Sequence, residues 1–150
     1  MEINTGVWNI YNEYLRLLGL GRINNTLHTF KVALLNFTYI PNVETQGYWG
    51  DVNSHELVAH SYPTGGVEIP LKSWLRDEVD GSTLWSAGQS DINLGEIVTV
   101  KYFVIYNDTA TNKPLVCWSY INANESEVTG LRFRVMFQQG IYKIRSLHGS

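Results

Sequence analysis

Gly95-Glu96-Ile97-Val98-Thr99-Val100-Lys101-Tyr102-Phe103-Val104-Ile105-Tyr106, followed after a polar break by Pro114-Leu115-Val116-Cys117-Trp118-Ser119-Tyr120, is the stretch on which the reading of this chain turns. In an extended backbone Val98, Val100, Tyr102, Val104 and Tyr106 share one face, and Ile97, Thr99, Lys101, Phe103 and Ile105 share the other. Both faces are mostly apolar, and the run is rich in β-branched and aromatic residues. It predicts one long strand covered on both sides within a two-layer β structure, followed by a second strand that holds Cys117.

Working outward, the same signals recur. Thr29 to Phe37 predicts a central strand ended by Pro41 and Asn42. Val43 to Ser54 reads as a surface loop carrying two exposed aromatics, Tyr48 and Trp49. His55 to Tyr62 predicts a strand or short helix closed by Pro63-Thr64-Gly65-Gly66, a turn signal. Val67 to Trp74 predicts a strand at an edge or bulge, because Pro70 cannot donate to a ladder. Arg76 to Gly81 is a solvated turn, Ser82 to Ala87 a short strand, and Gly88 to Asn93 a polar loop. Leu131 to Phe137 and Ile141 to Arg145 predict a hairpin-like pair joined by Gln138-Gln139-Gly140. Only Val7 to Leu20 has a helical period, with Val7, Ile10, Tyr14, Leu17 and Leu18 on one stripe, Asn4 or Thr5 as cap, and Gly19 and Gly21 as stop. Such a stripe packs on the chain's own sheet or docks on another protein.

About eight strands after one helix predict an all-β fold, a jelly-roll-like antiparallel β-sandwich, with an open sheet capped by the helix as the alternative. No internal repeat divides the chain. The expected organisation is a helix and connector over residues 1–26, acting as a docking arm, and a sandwich over 27–150.

Composition narrows the function. With 150 residues the chain can bury roughly two thirds of its unfolded surface. A net charge of −3 offers no basic face for nucleic acid. A single cysteine, Cys117, precludes an intrachain disulfide and a cysteine-rich metal site. No run approaches a membrane span, and no signal peptide is visible. Four Asn-x-Ser/Thr triplets, at Asn24, Asn36, Asn107 and Asn124, read as by-products of an asparagine-rich sequence.

The residues that bear chemistry do not form a catalytic pattern. His55 and His60, with Glu56 and Asp51, lack the spacing of a helical zinc pair. Asp77, Glu78 and Asp80 lack that of a calcium loop. Cys117 sits in an apolar strand, where a thiol is not activated. There is no Gly-x-Ser-x-Gly elbow and no phosphate loop. No catalytic, cofactor-binding or metal-binding residue is therefore nominated, and an enzyme is not expected. Tyr48, Trp49, Trp74 and Trp85 are available to stack on sugar rings, with Trp85 and Trp118 assigned to the core instead.

Several motifs, taken in order, are similar to a family of small structural proteins of tailed bacteriophages. They are Ile10-Tyr11-Asn12, Phe30-Lys31-Val32-Ala33-Leu34-Leu35, Tyr39-Ile40-Pro41-Asn42, Asp51-Val52 with Glu56, Tyr62-x-x-Gly65-Gly66, Val100 to Thr109, Lys113-Pro114-Leu115, and Gly140-Ile141-Tyr142-Lys143-Ile144. The chain departs from the family at Gln89 to Gly95, where relatives carry a tryptophan and acidic residues, and in the loop after Trp74. The resemblance implies a virion component on the head surface, a capsid decoration or cement protein, often a homotrimer. Its partners are the major capsid protein and itself, without nucleic acid or membrane. On that reading Ile10, Tyr14, Leu17 and Leu18 dock the helix on a capsid subunit. Lys101 marks the outer face of the long strand, covered by the helix or a neighbouring subunit. The alternative is a receptor- or glycan-binding module of a fibre, with Tyr48 and Trp49 as its platform.

Overall fold

The computed structural model describes residues 2–4, 9–122, 124–137 and 140–144. Eleven strands and one α-helix follow in the order β1 (Glu2–Asn4), β2 (Asn9–Ile10), α1 (Asn12–Gly19), β3 (Phe30–Leu35), β4 (Val67–Glu68), β5 (Ser73–Arg76), β6 (Thr83–Ser86), β7 (Ser90–Val100), β8 (Tyr102–Asn107), β9 (Leu115–Tyr120), β10 (Val128–Met136) and β11 (Tyr142–Ile144) among the described residues. Two short 3₁₀ turns, Trp49–Asp51 and Asn53–His55, lie between β3 and β4. The fold is all-β and sandwich-like. One sheet has the order β2-β9-β8-β3-β4, and two three-stranded sheets have the orders β1-β10-β7 and β11-β6-β5. All pairings are antiparallel except β1 with β10. The chain leaves the five-stranded sheet after β4 and returns as β8 on the far side of β3, a long connection of Greek-key type.

The predicted long strand is two strands in different sheets. β7 pairs with β10, whereas β8 pairs with β3 and β9. The change occurs at Lys101, whose N–H donates to Leu35 O at 3.1 Å and whose carbonyl accepts from Ile121 N at 3.0 Å. Alternation breaks there as well. Val100 joins the same core cluster as Phe103 and Ile105, while Tyr102, Val104 and Tyr106 join another. The predicted sharing of one face by Val98, Val100 and Tyr102 therefore fails at the crossing. Both faces of β8 are indeed covered, since every residue from Tyr102 to Asn107 is buried.

Those two clusters explain the packing. The first joins Phe30, Val32, Leu34, Phe103 and Ile105 of the five-stranded sheet to Trp85, Ile92, Leu94, Phe133 and Val135 of the other two sheets. The second lies on the opposite face, where Ala33, Leu35, Tyr102, Val104 and Tyr106 meet Tyr39, Trp49 and Val52 of the β3–β4 connection. The cover over that face is thus a loop of the same chain. The outer side expected at Lys101 is corrected: Phe103 and Ile105, of the same predicted face, point into the inter-sheet core.

Four further expectations change. The helix spans Asn12–Gly19, because Asn9 and Ile10 pair with Trp118 and Cys117 and the Tyr11 N–H donates to Val116 O at 3.0 Å. Thr5 and Val7 lie outside the described residues. At its other end Gly21 (φ 73) donates to Leu18 O and Arg22 to Leu17 O, the paired bonds of a Schellman stop. Val67 to Trp74 is likewise split, β4 and β5 belonging to different sheets with Leu71 at φ 54 between them. β10 and β11 do not form a hairpin, since β10 pairs with β7 and β1, and β11 with β6. His55 to Tyr62 forms only the end of a 3₁₀ turn and a single bridge from Glu56 to Leu35.

Candidate contact surface

The N-terminal stripe is absorbed by the fold. Tyr14 and Leu17 are fully or nearly fully buried in the first cluster, and Ile10 and Leu18 are half-buried against it. Tyr14 Oη donates to Asn25 Oδ1 at 2.8 Å and lies 2.5 Å from Tyr142 Oη. Trp85 Nε1 donates to Asn25 O at 2.9 Å. This polar knot fixes helix and connector to the β11-β6-β5 sheet, and burial raises the Tyr142 hydroxyl pKa to about 12. Residues 9–25 are therefore built into the sandwich and do not form a separable arm. Tyr14 and Leu17 are unavailable as partner surface.

The expected aromatic platform is also spent inside the molecule. Trp49 is only 8% exposed, and its ring stacks on Tyr106 with centroids 4.4 Å apart and planes at 10°. The loop is held by Asp51 Oδ2, which accepts from Gly47 N and Tyr48 N, and by Trp49 N donating to Lys113 O. Tyr48 is half-buried, its hydroxyl donating to Glu13 Oε2 at 2.5 Å. Arg16 closes the same group, with Nε 2.6 Å from Glu13 Oε1. That guanidinium, then the Tyr48 hydroxyl, hold the Glu13 carboxyl down at about 2. Trp85 is fully buried, as expected, while Trp118 is half-buried against Tyr102 and Tyr120.

Lys101 is half-buried, its Nζ 5.6 Å from the Tyr102 ring centroid. Its main contribution is the backbone pair at the sheet crossing.

The motif residues around Glu56 do come together. Glu56 Oε2 accepts from Tyr62 Oη at 2.7 Å and from Gly65 N at 2.9 Å, and Tyr106 Oη donates to Gly65 O at 2.5 Å. Burial dominates these bonds and raises the Glu56 pKa. The group ties the Pro63–Gly66 turn to β3 and β8, so it is structural chemistry in a closed corner.

The remaining titratable groups are dispersed. His55 Nδ1 lies 2.8 Å from Thr38 Oγ1 and His60 is exposed. Asp77 and Asp80 are both engaged by Lys143 Nζ, at 3.0 and 3.5 Å. Cys117 is fully buried and burial pushes its thiol up. Among the described residues no three His, Cys, Asp or Glu side chains gather into a metal-binding group, and no helix is long and apolar enough to cross a membrane.

What the sequence reading missed is the surface around β5. Leu71, Leu75 and Val79 are 85%, 64% and 96% exposed, within nine residues of chain that also hold Trp74. Trp74 packs edge-on against Tyr142 and shares a shallow cleft of about 400 Å³ with Leu18, Ile23 and Thr26. Leu18 and Trp74, distant in sequence, thus meet on one surface. The alternation at Ser73-Trp74-Leu75-Arg76 is too short to reveal that both of its faces stay partly open. Comparison with family models, curated proteins and solved structures matches nothing to this chain, so a functional reading rests on these residues themselves.

Proposed function

We propose that the protein is a structural component of a tailed-phage virion, a capsid decoration or cement protein that stabilises the head shell by bridging neighbouring capsid subunits. The observation that carries this reading is the ordered set of motifs from Ile10 to Ile144. In the fold these motifs include many residues that hold the sandwich together: Tyr11 and Tyr39 share a hydroxyl contact, Glu56 and Tyr62 clamp Gly65, and Phe30 to Leu35 pairs along all of β8. A resemblance carried by scaffold residues speaks for a shared framework. A cement protein needs such a framework, rigid and joined to its neighbours by surface contacts.

Side chains left on the surface supply the contacts in this reading, and Leu18 is the N-terminal candidate that shares a cleft with Trp74. The fibre reading loses its platform with the burial of Trp49. The test is the composition of purified heads that lack tails. The expected result is stoichiometric protein on those heads and a lower threshold for heat or chelator disruption when it is stripped away. Restriction of the protein to tails or fibres would overturn the proposal.

A further inference from the structure

The sheet β11-β6-β5 ends on β5, and among the described residues no strand pairs with its outer edge. Asp77 N donates to Ser82 O at 2.7 Å, closing the β5–β6 hairpin. Counting back with the two-residue period of an antiparallel ladder, Leu75 and Ser73 aim their backbone groups at β6, and Trp74 and Arg76 aim theirs outward. The free edge therefore offers the N–H and C=O groups of two adjacent outward positions.

We propose that this edge pairs with itself: two copies of the chain join β5 to β5 antiparallel, about a two-fold axis at Leu75, and merge their three-stranded sheets. Outward-facing residues must meet one another in an antiparallel pair. Only two such registers overlap more than one residue of each strand. Centring on Trp74 sets Lys72 against Arg76, cation against cation. Centring on Leu75 sets Arg76 against Trp74, where guanidinium and indole attract, and Leu75 against its own copy. It also brings Lys72 toward Glu78, just past the strand.

Two independent observations agree with that register. Lys72, Arg76 and Glu78 have no ion-pair partner among the described residues, whereas the neighbouring Asp77 and Asp80 are both taken by Lys143. The apolar side chains that flank or occupy the edge, Leu71, Leu75 and Val79, are among the most exposed in the chain. Self-pairing about Leu75 supplies partners to the unpaired charges and cover to Leu75 together. A lysine and a proline on an edge are also a means of keeping strands apart, so a strict monomer is the opposing outcome. The inference does not rest on the virion reading, because it concerns the isolated chain in solution and either can fail alone.

Sedimentation equilibrium of the full chain across a wide concentration range tests it. The expected result is a monomer–dimer equilibrium. Leu75→Lys, at an exposed site that leaves folding intact, lowers the association constant at least roughly tenfold through like charges on the axis. Lys72→Glu weakens association and Lys72→Glu with Glu78→Lys restores it. Under mild oxidation Leu75→Cys cross-links two chains, since a non-hydrogen-bonded pair sets Cα atoms about 4.5 Å apart, within disulfide reach. Buried Cys117 does not compete. A monomer at every concentration overturns the proposal. So does an oligomer indifferent to Leu75→Lys, or cross-linking by Trp74→Cys in place of Leu75→Cys.

Discussion

At the scale of residues, short polar side chains do the work of turns. Asn24 Oδ1 accepts from Thr26 N and Leu27 N, Asn36 Oδ1 from Thr38 N, and Asn107 Oδ1 from Thr109 N and Ala110 N. Three of the four Asn-x-Ser/Thr triplets are therefore turn closures, a role the tripeptide pattern does not distinguish from a modification signal. Glycine is required where the Pro63–Gly66 turn meets β3. Gly66 has φ 86, and a Cβ there would lie 2.1 Å from Val32 O. Gly66→Ala is expected to cost roughly 3 kcal/mol or more, from left-handed strain and backbone collision together, measured by urea unfolding. A loss under 1 kcal/mol would contradict the geometry. Glu56 beside it has a pKa raised by burial. Its contribution to stability is then largest below the unfolded carboxylate range, near pH 4, and is lost as pH rises through the folded value. Glu56→Gln keeps an acceptor for Gly65 N and Tyr62 Oη without the buried charge. We expect unchanged or higher stability at pH 7 and a flatter profile between pH 4 and 7, checked by melting temperature against pH. Destabilisation at pH 7 that disappears at pH 4 would show that the charge itself is needed.

Strands and helix show where the sequence is legible and where it is not. The all-β class, β3, β6, β8 and β9, and the turn at Asp77 to Gly81 follow from apolar alternation and turn residues. Sheet membership does not. Glu96 to Tyr106 stays apolar through Lys101 because β7 and β8 both feed the same core, so the pattern continues while the strand changes partners. Val67 to Trp74 hides its crossing as well, since its apolar positions continue from β4 into β5 although the latter's side chains stay largely exposed, and only Pro70 hints at it. Ile10 fits a helical stripe as well as it fits β2, and tertiary pairing with Cys117 decides between them. Tyr48 and Trp49 sit in a glycine-bearing loop that reads as surface, but the uncovered second face of the five-stranded sheet recruits Trp49 into the core. A chain that begins at residue 27 loses Tyr11, Tyr14, Leu17 and Ile23, all buried. We therefore expect this truncation not to fold, with loss of near-ultraviolet circular dichroism and of a cooperative melt. A folded truncated protein would restore the separable-arm reading.

In the whole molecule, the two core clusters share one sheet, and this makes them interdependent. β3 and β8 each send alternate residues into both: Val32 and Leu34 to the first and Ala33 and Leu35 to the second, Phe103 and Ile105 to the first and Val104 and Tyr106 to the second. Loss of β3 or β8 therefore disrupts both clusters at once, because each residue step along those strands alternates between them. The loop that covers the second face has no sheet of its own to retain it. Its anchors are Trp49 on Tyr106, the Tyr11–Tyr39 hydroxyl contact and the backbone bonds from Trp49 to Lys113 and from Leu115 to Gly47. Unfolding is therefore expected to be a single transition at 150 residues. A tryptophan kept only at position 49 reports on the second cluster, and one kept only at 85 reports on the first. Their fluorescence midpoints in urea should coincide with each other and with far-ultraviolet circular dichroism for the same variant, once each is corrected for its own change in stability. If the Trp49 signal is lost at lower denaturant, the loop is a separately melting cover, and a rigid framework of the kind a cement protein needs would be confined to the inter-sheet core.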